Sequence, residues 1–311
     1  MVRGATYADV RFVRQLRQEI SAEDDRLRSF SDLEDAGLGV RVIADGAWGF
    51  AGTSDLTREG AMKAAATAVA IARAGATANA APVRLAPEPP ARSSFRTAVA
   101  VDPFAVPVQE KVALLQTVNE RLRKHNGITK AEGFMSLRKD ERLFLSSEGS
   151  ELDSAVVTTA AGYQATAVGG GDAKSRTYFP PPRTSGYENI RSEDLLANTD
   201  RVAEQALEHL SAEECPDGML DLILDPQNLS LTIHESVGHA TELDRALGYE
   251  ESLAGRSFAT PDKLRNLKYG SDVVNFVADN TLTGGLATHG FDDDGVVGQR
   301  WHIVEDGLFV G

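Results

Sequence analysis

At 311 residues the chain is longer than one compact domain usually is, so two domains with separate cores are expected. Its 32 Lys and Arg against 46 Asp and Glu leave a net charge of −14 spread along the chain, which argues against nucleic acid as a partner, since phosphate binding draws on clustered positive charge. Cys215 is the only cysteine, which excludes an internal disulfide and fits a reducing compartment; no stretch approaches the ~20 apolar residues of a membrane span, so a soluble cytoplasmic protein with no membrane partner is expected.

Near the N-terminus Val10 and Phe12 alternate with polar neighbours, and Leu38 to Ile43, followed by Asp45-Gly46 and Trp48-Gly49-Phe50, predicts a β-hairpin. From Thr57 to about Ala76 the chain is Ala-rich, with Met62, Ala65, Ala66, Val69 and Ala70 at helical spacing, so a helix packing on that sheet is expected. Pro82, Pro87, Pro89 and Pro90 mark an extended connector. A second helix, roughly Val108 to His125, presents Val112, Leu115, Val118 and Leu122 on one face and stops at Asn126-Gly127. Short β-like segments at 133–137, 142–146 and 155–161 read as an antiparallel meander, and a helix is expected from about Ser192 to Leu210.

The turn from Glu213 to Gly218 sets the expected domain boundary. Beyond it, Leu220 to Leu224 reads as a buried strand, and Asp225-Pro226 as a helix start with Asp at the cap and Pro in the first turn. The expected fold class is therefore α+β. An N-terminal domain, 1–217, carries a mixed or antiparallel sheet with helices; an incomplete, mainly β C-terminal domain, 218–311, carries the helix launched at Asp225.

That helix leads into His234-Glu235-Ser236-Val237-Gly238-His239. Zinc is held by neutral imidazoles or anionic ligands, and a hydrolytic site keeps a position open for water. In the common zincin arrangement the two histidines lie four apart on one helix face, with the adjacent Glu acting on the metal-bound water. Here they lie five apart, and on an ideal helix a five-residue step turns the second side chain about 140° from the first, against about 40° for four. A pair of ligands thus requires a bulge or helix end, for which Gly238 is the residue best suited, and Glu235 keeps the place of a general base. Spacing alone leaves a second reading open, in which both are ordinary surface or capping histidines.

The run from Leu231 to Glu242 resembles the HExxxH segment of the TldD/PmbA family of metallopeptidases. Gly255-Arg256 falls where that family has a loop, Asp292 to Gln299 resembles its DDEGxxGQ stretch, and Ile303 to Leu308 its ensuing hairpin, so the likeness in order and spacing runs from Asp225 to the last residue. The resemblance implies that His234 and His239 bind zinc, that Glu235 is the catalytic acid/base, and that the substrate is a peptide or an unfolded protein segment. It also implies a homodimer, or a heterodimer with a PmbA-type subunit. The third ligand it implies is a cysteine beyond the equivalent of Gly311, so the chain is expected to be truncated or the gene split; Cys215 precedes the motif and is not its counterpart. A second hypothesis is a catalytically incomplete binding or assembly subunit that keeps the motif without a full metal shell.

Glu242, His289, His302 and the Asp292–Asp294 carboxylates are the other candidates for a third ligand, each with a structural reading beside it. The Asp run lacks the ligand spacing of an EF-hand and reads as a turn. Gly169-Gly170-Gly171 lacks the Lys-Ser/Thr of a P-loop, and Tyr178, Phe179 and Tyr187 read as packing residues or the lining of a peptide groove.

Overall fold

The alternation at Val10 and Phe12 belongs to a strand, β1, that runs from Tyr7 to Glu23 in the computed structural model, which describes residues 4–78, 81–192 and 195–311. β2 (Arg26–Ala44) returns along it, and β3 (Ala47–Thr53) follows a two-residue turn in which Asp45 and Gly46 both have positive φ, 51° and 78°. That backbone matches the twist of a tight hairpin, and Asp-Gly supplies it at low cost. β5 (Ile128–Ser146) and β6 (Glu151–Gly169) form a second long hairpin, so the short segments expected there are parts of two 19-residue strands. The order is β3-β2-β1-β5-β6-β4, with β4 (Arg92–Arg96) parallel to the start of β6 and β7 (Asp172–Tyr178) antiparallel to its end.

Helices cover this sheet in two places. α1 (Arg58–Ala76) is capped by Thr57, whose hydroxyl accepts the Gly60 N–H, and packs on β2 and β3 through Ala64, Ala68 and Ala72. Of the expected face, Val69 is buried and Ala65 partly buried, while Met62, Ala66 and Ala70 are exposed. The cause is Gly49 of β3, where an added Cβ would lie 1.9 Å from the Ala68 carbonyl oxygen, so the helix sits close to the sheet there and alanines fill the contact. α2 (Val108–Arg123) buries Leu115, Val118 and Leu122, with Val112 partly buried, against Ile20, Met135, Leu137 and Tyr163. In place of one helix over Ser192–Leu210, the chain has α3 (Glu188–Ser192) and α4 (Thr199–Glu208), with 193–194 outside the described residues; α4 adds Val202, Ala203 and Ala206 to the same core. Tyr187 is buried in that core, and Tyr178 and Phe179 pack on Tyr163 and Phe134, so all three aromatics are packing residues.

The fold is α+β, and the chain divides into two compact units, 1–212 with 281–298, and 213–280 with 299–311. The stretch 281–298, which the boundary at 217/218 groups with the C-terminal part, belongs to the first unit. There Arg11 and Arg41 both reach Asp294 and Arg142 reaches Asp293, while Asp292 accepts the N–H groups of Asp294 and Val296 and so shapes the turn. In the second unit, α5 (Pro226–Ile233) precedes two single-turn helices, α6 (Leu243–Ala246) and α7 (Glu251–Ala254). A three-stranded antiparallel sheet is ordered β10-β9-β8, from Leu308–Phe309, Arg300–Glu305 and Phe276–Asp279. Leu220–Leu224 is not a strand: no described strand pairs with it, and Leu220, Leu222 and Ile223 are exposed. No helix among the described residues is long and apolar enough to cross a membrane.

Candidate metal centre

Asp225 starts α5 as its residue type predicts, its carboxylate accepting the Asn228 N–H at 2.9 Å with Pro226 in the first turn. At His234 the helix changes pitch. Residues His234–Gly238 form a π turn in which the His239 N–H donates to the His234 carbonyl, five residues back, and a short 3₁₀ turn, His239–Thr241, follows. A π turn accommodates one residue more than an α turn, so side chains five apart come to stand where side chains four apart stand in an α-helix. The two imidazoles meet edge to face with centroids 4.4 Å apart. One ligand atom each from His234, Glu235 and His239 lie within 4.8 Å of one another.

Gly238 is not the cause. Its φ of −54° and ψ of −64° are right-handed helical values, open to any residue, and an added Cβ would meet nothing within 4 Å. The irregularity is held instead by bonds to the carbonyls that the change of pitch leaves over. Tyr269 Oη donates to the Ser236 carbonyl at 2.5 Å, Thr241 Oγ1 to that of Val237 at 2.9 Å, and Ser257 Oγ to that of Ala240. Tyr269 is wedged between Phe258 and Phe309, and its burial pushes the phenol pKa up. Val237 is the buried residue of the motif and anchors the turn.

Glu242 Oε1 lies 2.9 Å from His239 Nδ1, and its other oxygen 3.5 Å from Arg245. A carboxylate accepts from a ring N–H, which puts the His239 proton on Nδ1 and leaves the Nε2 lone pair for a metal. His234 and Glu235 are well exposed, with Glu235 Oε1 3.9 Å from His234 Nε2. Two imidazole nitrogens and a carboxylate oxygen, converging and reachable from solvent, suit a divalent cation of the zinc type.

The remaining candidates do not join this group. Glu242 binds His239 rather than adding a donor to it, His302 stands in β9 with Nδ1 3.7 Å from Glu305, and His289 and Asp292–Asp294 belong to the first unit, the latter holding its arginines. Cys215 is exposed. Glu242, a candidate ligand by sequence, is instead the partner of a ligand, its position three residues after His239 placing it one turn away. Tyr269 and Ser257 carried no signal, because neither lies near the motif in sequence.

Three family models match the chain: PmbA/TldA metallopeptidase domain 1 over 8–72, the central domain over 101–211 and the C-terminal domain over 217–311. Metalloprotease MJ0996 of Methanocaldococcus jannaschii is 25% identical over 307 residues, a match covering 97% of this chain and 64% of that protein. A metalloprotease of Methanothermobacter thermautotrophicus is 26% identical over 302 residues, with 97% and 63% covered. The chain thus spans a little under two thirds of the length of these relatives. Among solved structures, TldE from Thermococcus kodakarensis has a TM-score of 0.68 at 17% identity, covering 99% of this chain and 66% of that one. A candidate DNA gyrase modulator from Bacteroides thetaiotaomicron has a TM-score of 0.78 at 19% identity, with 99% and 67% covered. At these identities the structural likeness establishes the fold.

Proposed function

The chain belongs to the PmbA/TldA metallopeptidase family, and from that premise we propose that it is a zinc-dependent peptidase of TldD type, acting in the cytoplasm on peptides or unfolded protein segments. The observation that carries this reading is the π turn, which brings His234 and His239 together with Glu235 beside them despite a spacing that an α-helix would defeat. In this reading the two histidines would hold the metal, and Glu242 holds the His239 ring through Nδ1, leaving Nε2 free to ligate. Zinc, when bound there, would supply Lewis-acid polarisation of a scissile carbonyl and of a water. Glu235, beside His234, is the group placed to take a proton from an attacking water and return it to the departing amine, a role usually worth about 10²–10⁴ in rate. With Glu235 reserved for proton transfer, a ligand beyond the two histidines is needed, and the described residues bring none to them. Substrate enters as an extended strand beside a sheet edge.

A second reading is a binding or assembly subunit, either self-associating or paired with a PmbA-type chain. It is favoured by the donor count, since the described residues bring together two imidazoles and one carboxylate that has another task. Metal analysis of the dialysed protein separates the two. The peptidase reading expects stoichiometric zinc, retained in Glu235→Ala while peptide cleavage falls by about 10²–10⁴. Absence of zinc favours the subunit, and full activity in Glu235→Ala overturns the assigned mechanism.

A further inference from the structure

Met135 and Leu137 of β5 belong to the core under α2, so by alternation Arg138, Asp140 and Arg142 stand on the opposite face of the sheet. Their cross-strand partners on β6 are Thr158, Val156 and Ser154. The two strands therefore set a guanidinium beside a hydroxyl at each end, with an acid beside a valine in the middle. The 281–298 stretch lies over this floor with Leu286 and Phe291 among its side chains, leaving a cleft of about 450 Å³. That is within the size usual for a small-molecule site, roughly 300–1,000 Å³. Every residue lining it belongs to the first unit.

Donors and acceptors in this cleft are not balanced. Asp140 is buried and accepts Arg138 side-on, from Nε at 2.7 Å and from Nη2 at 3.1 Å, and it also accepts Gln15 Nε2 at 2.7 Å. Asp293 accepts Arg142 Nη1 at 3.0 Å, and Asp292 accepts the N–H groups of its own turn; both are otherwise exposed to solvent. The carboxylates are thus answered. The donors are not: among the described residues nothing engages Arg138 Nη1, Arg142 Nε and Nη2, or the hydroxyls of Thr158 and Ser154. A surplus of donors calls for an acceptor, and guanidiniums with an unused edge call for a planar anion. Arg138 is the better prepared of the two, since Asp140 holds it by one edge and leaves the end of its fork opposite Thr158. A metal ion has no place here, because the grouping of metal-binding side chains among the described residues is the one at His234, Glu235 and His239. The apolar wall of Val156, Leu286 and Phe291 gives an inorganic anion nothing to bind, but it suits a carbon chain.

We propose that this cleft binds a small organic acid, its carboxylate on the Arg138 fork and the Thr158 hydroxyl, its apolar body against Val156, Leu286 and Phe291. Asp140 is a positioning residue in that site, acting through Arg138. The inference concerns the first unit alone and rests on neither reading of the metal centre.

Hexanoate titrated into the full chain, followed by ligand-observed NMR, tests it. Saturable binding is expected, about tenfold or more tighter than that of hexanamide, which lacks the charge. It is also expected to be about tenfold or more tighter than that of acetate, which lacks the apolar body. In Arg138→Gln the preference for acid over amide is expected to disappear. Thr158→Val keeps the shape, removes the hydroxyl and is expected to weaken hexanoate about three- to tenfold. Circular dichroism checks that both variants fold, and Thr158→Val decides the matter should Arg138→Gln unfold for want of a partner to Asp140. Absence of saturable binding, equal affinity for acid and amide, or acetate as tight as hexanoate overturns the proposal. So does hexanoate binding left unchanged in either folded variant, which would put the acid elsewhere, the metal centre included.

Discussion

At His239 the ring is fixed from behind by Glu242, and the backbone around it by hydroxyls from more distant residues. These two supports act on different quantities. A carboxylate on the non-ligating nitrogen sets the tautomer and raises ligand basicity, so Glu242→Ala is expected to lower zinc affinity about 10–100-fold in a chelator competition while leaving the fold intact. Tyr269→Phe keeps the ring between Phe258 and Phe309 and removes only the hydroxyl that reaches the Ser236 carbonyl. Its expected cost is about 0.5–1.5 kcal/mol in a denaturant melt. Unchanged zinc affinity in Glu242→Ala would show that the turn alone orients the ring.

Among the elements, two glycines answer differently to the same change. Gly49→Ala forces a Cβ against the backbone of α1 at Ala68 and is expected to destabilise by about 1–3 kcal/mol or more, because backbone cannot swing aside as a side chain can. Gly238→Ala meets open space at helical dihedrals and is expected to be neutral or slightly stabilising in the same melt, with zinc content retained. The contrast shows where the sequence was legible. Asp45-Gly46, Thr57 and Asp225-Pro226 act within a few residues of themselves, and the turn and caps read from them are present. The demand for an irregular helix between His234 and His239 followed from spacing alone. Its means did not, because the residues that hold the π turn come from Thr241, Ser257 and Tyr269, and no local pattern names Tyr269. The α1 face was misread for a related reason: hydrophobicity favours Met62, while the close approach at Gly49 demands alanine. The long polar strands β1 and β2 were only partly visible, since their charged residues pair across strands rather than alternating with apolar ones, as Arg14 does with Glu34 and Glu141.

For the molecule as a whole, charges in the first unit pair over long sequence distances. Asp9 is buried and meets Arg41, which also meets Asp294, so a carboxylate in β1, a guanidinium in β2 and the 281–298 stretch form one chain of contacts. Near α3 the Glu188 carboxylate gathers the N–H groups of Ala100, Val101 and Gly186. Burial there would raise its pKa, but these donors outweigh it and the net shift is downward; Lys139 and Arg14 likewise pull Glu141 down against its burial. A carboxyl whose folded pKa lies below its unfolded value contributes stability that is complete above the unfolded value, about 4.3 for Glu, and is lost as pH falls through the folded one. The first unit should therefore lose stability as pH drops below about 4.3, rather than between pH 7 and 5. Glu188→Gln keeps the shape and removes the charge, and is expected to cost about 1 kcal/mol or more at pH 7, where charge-assisted bonds are at full strength. The difference between parent and variant should narrow as the parent's own carboxyl takes up its proton. Denaturant melts of both proteins at pH 7, 5 and 3.5 measure it, and a gap that stays constant down to pH 3.5 would mean that the Glu188 contacts act by shape and not by charge.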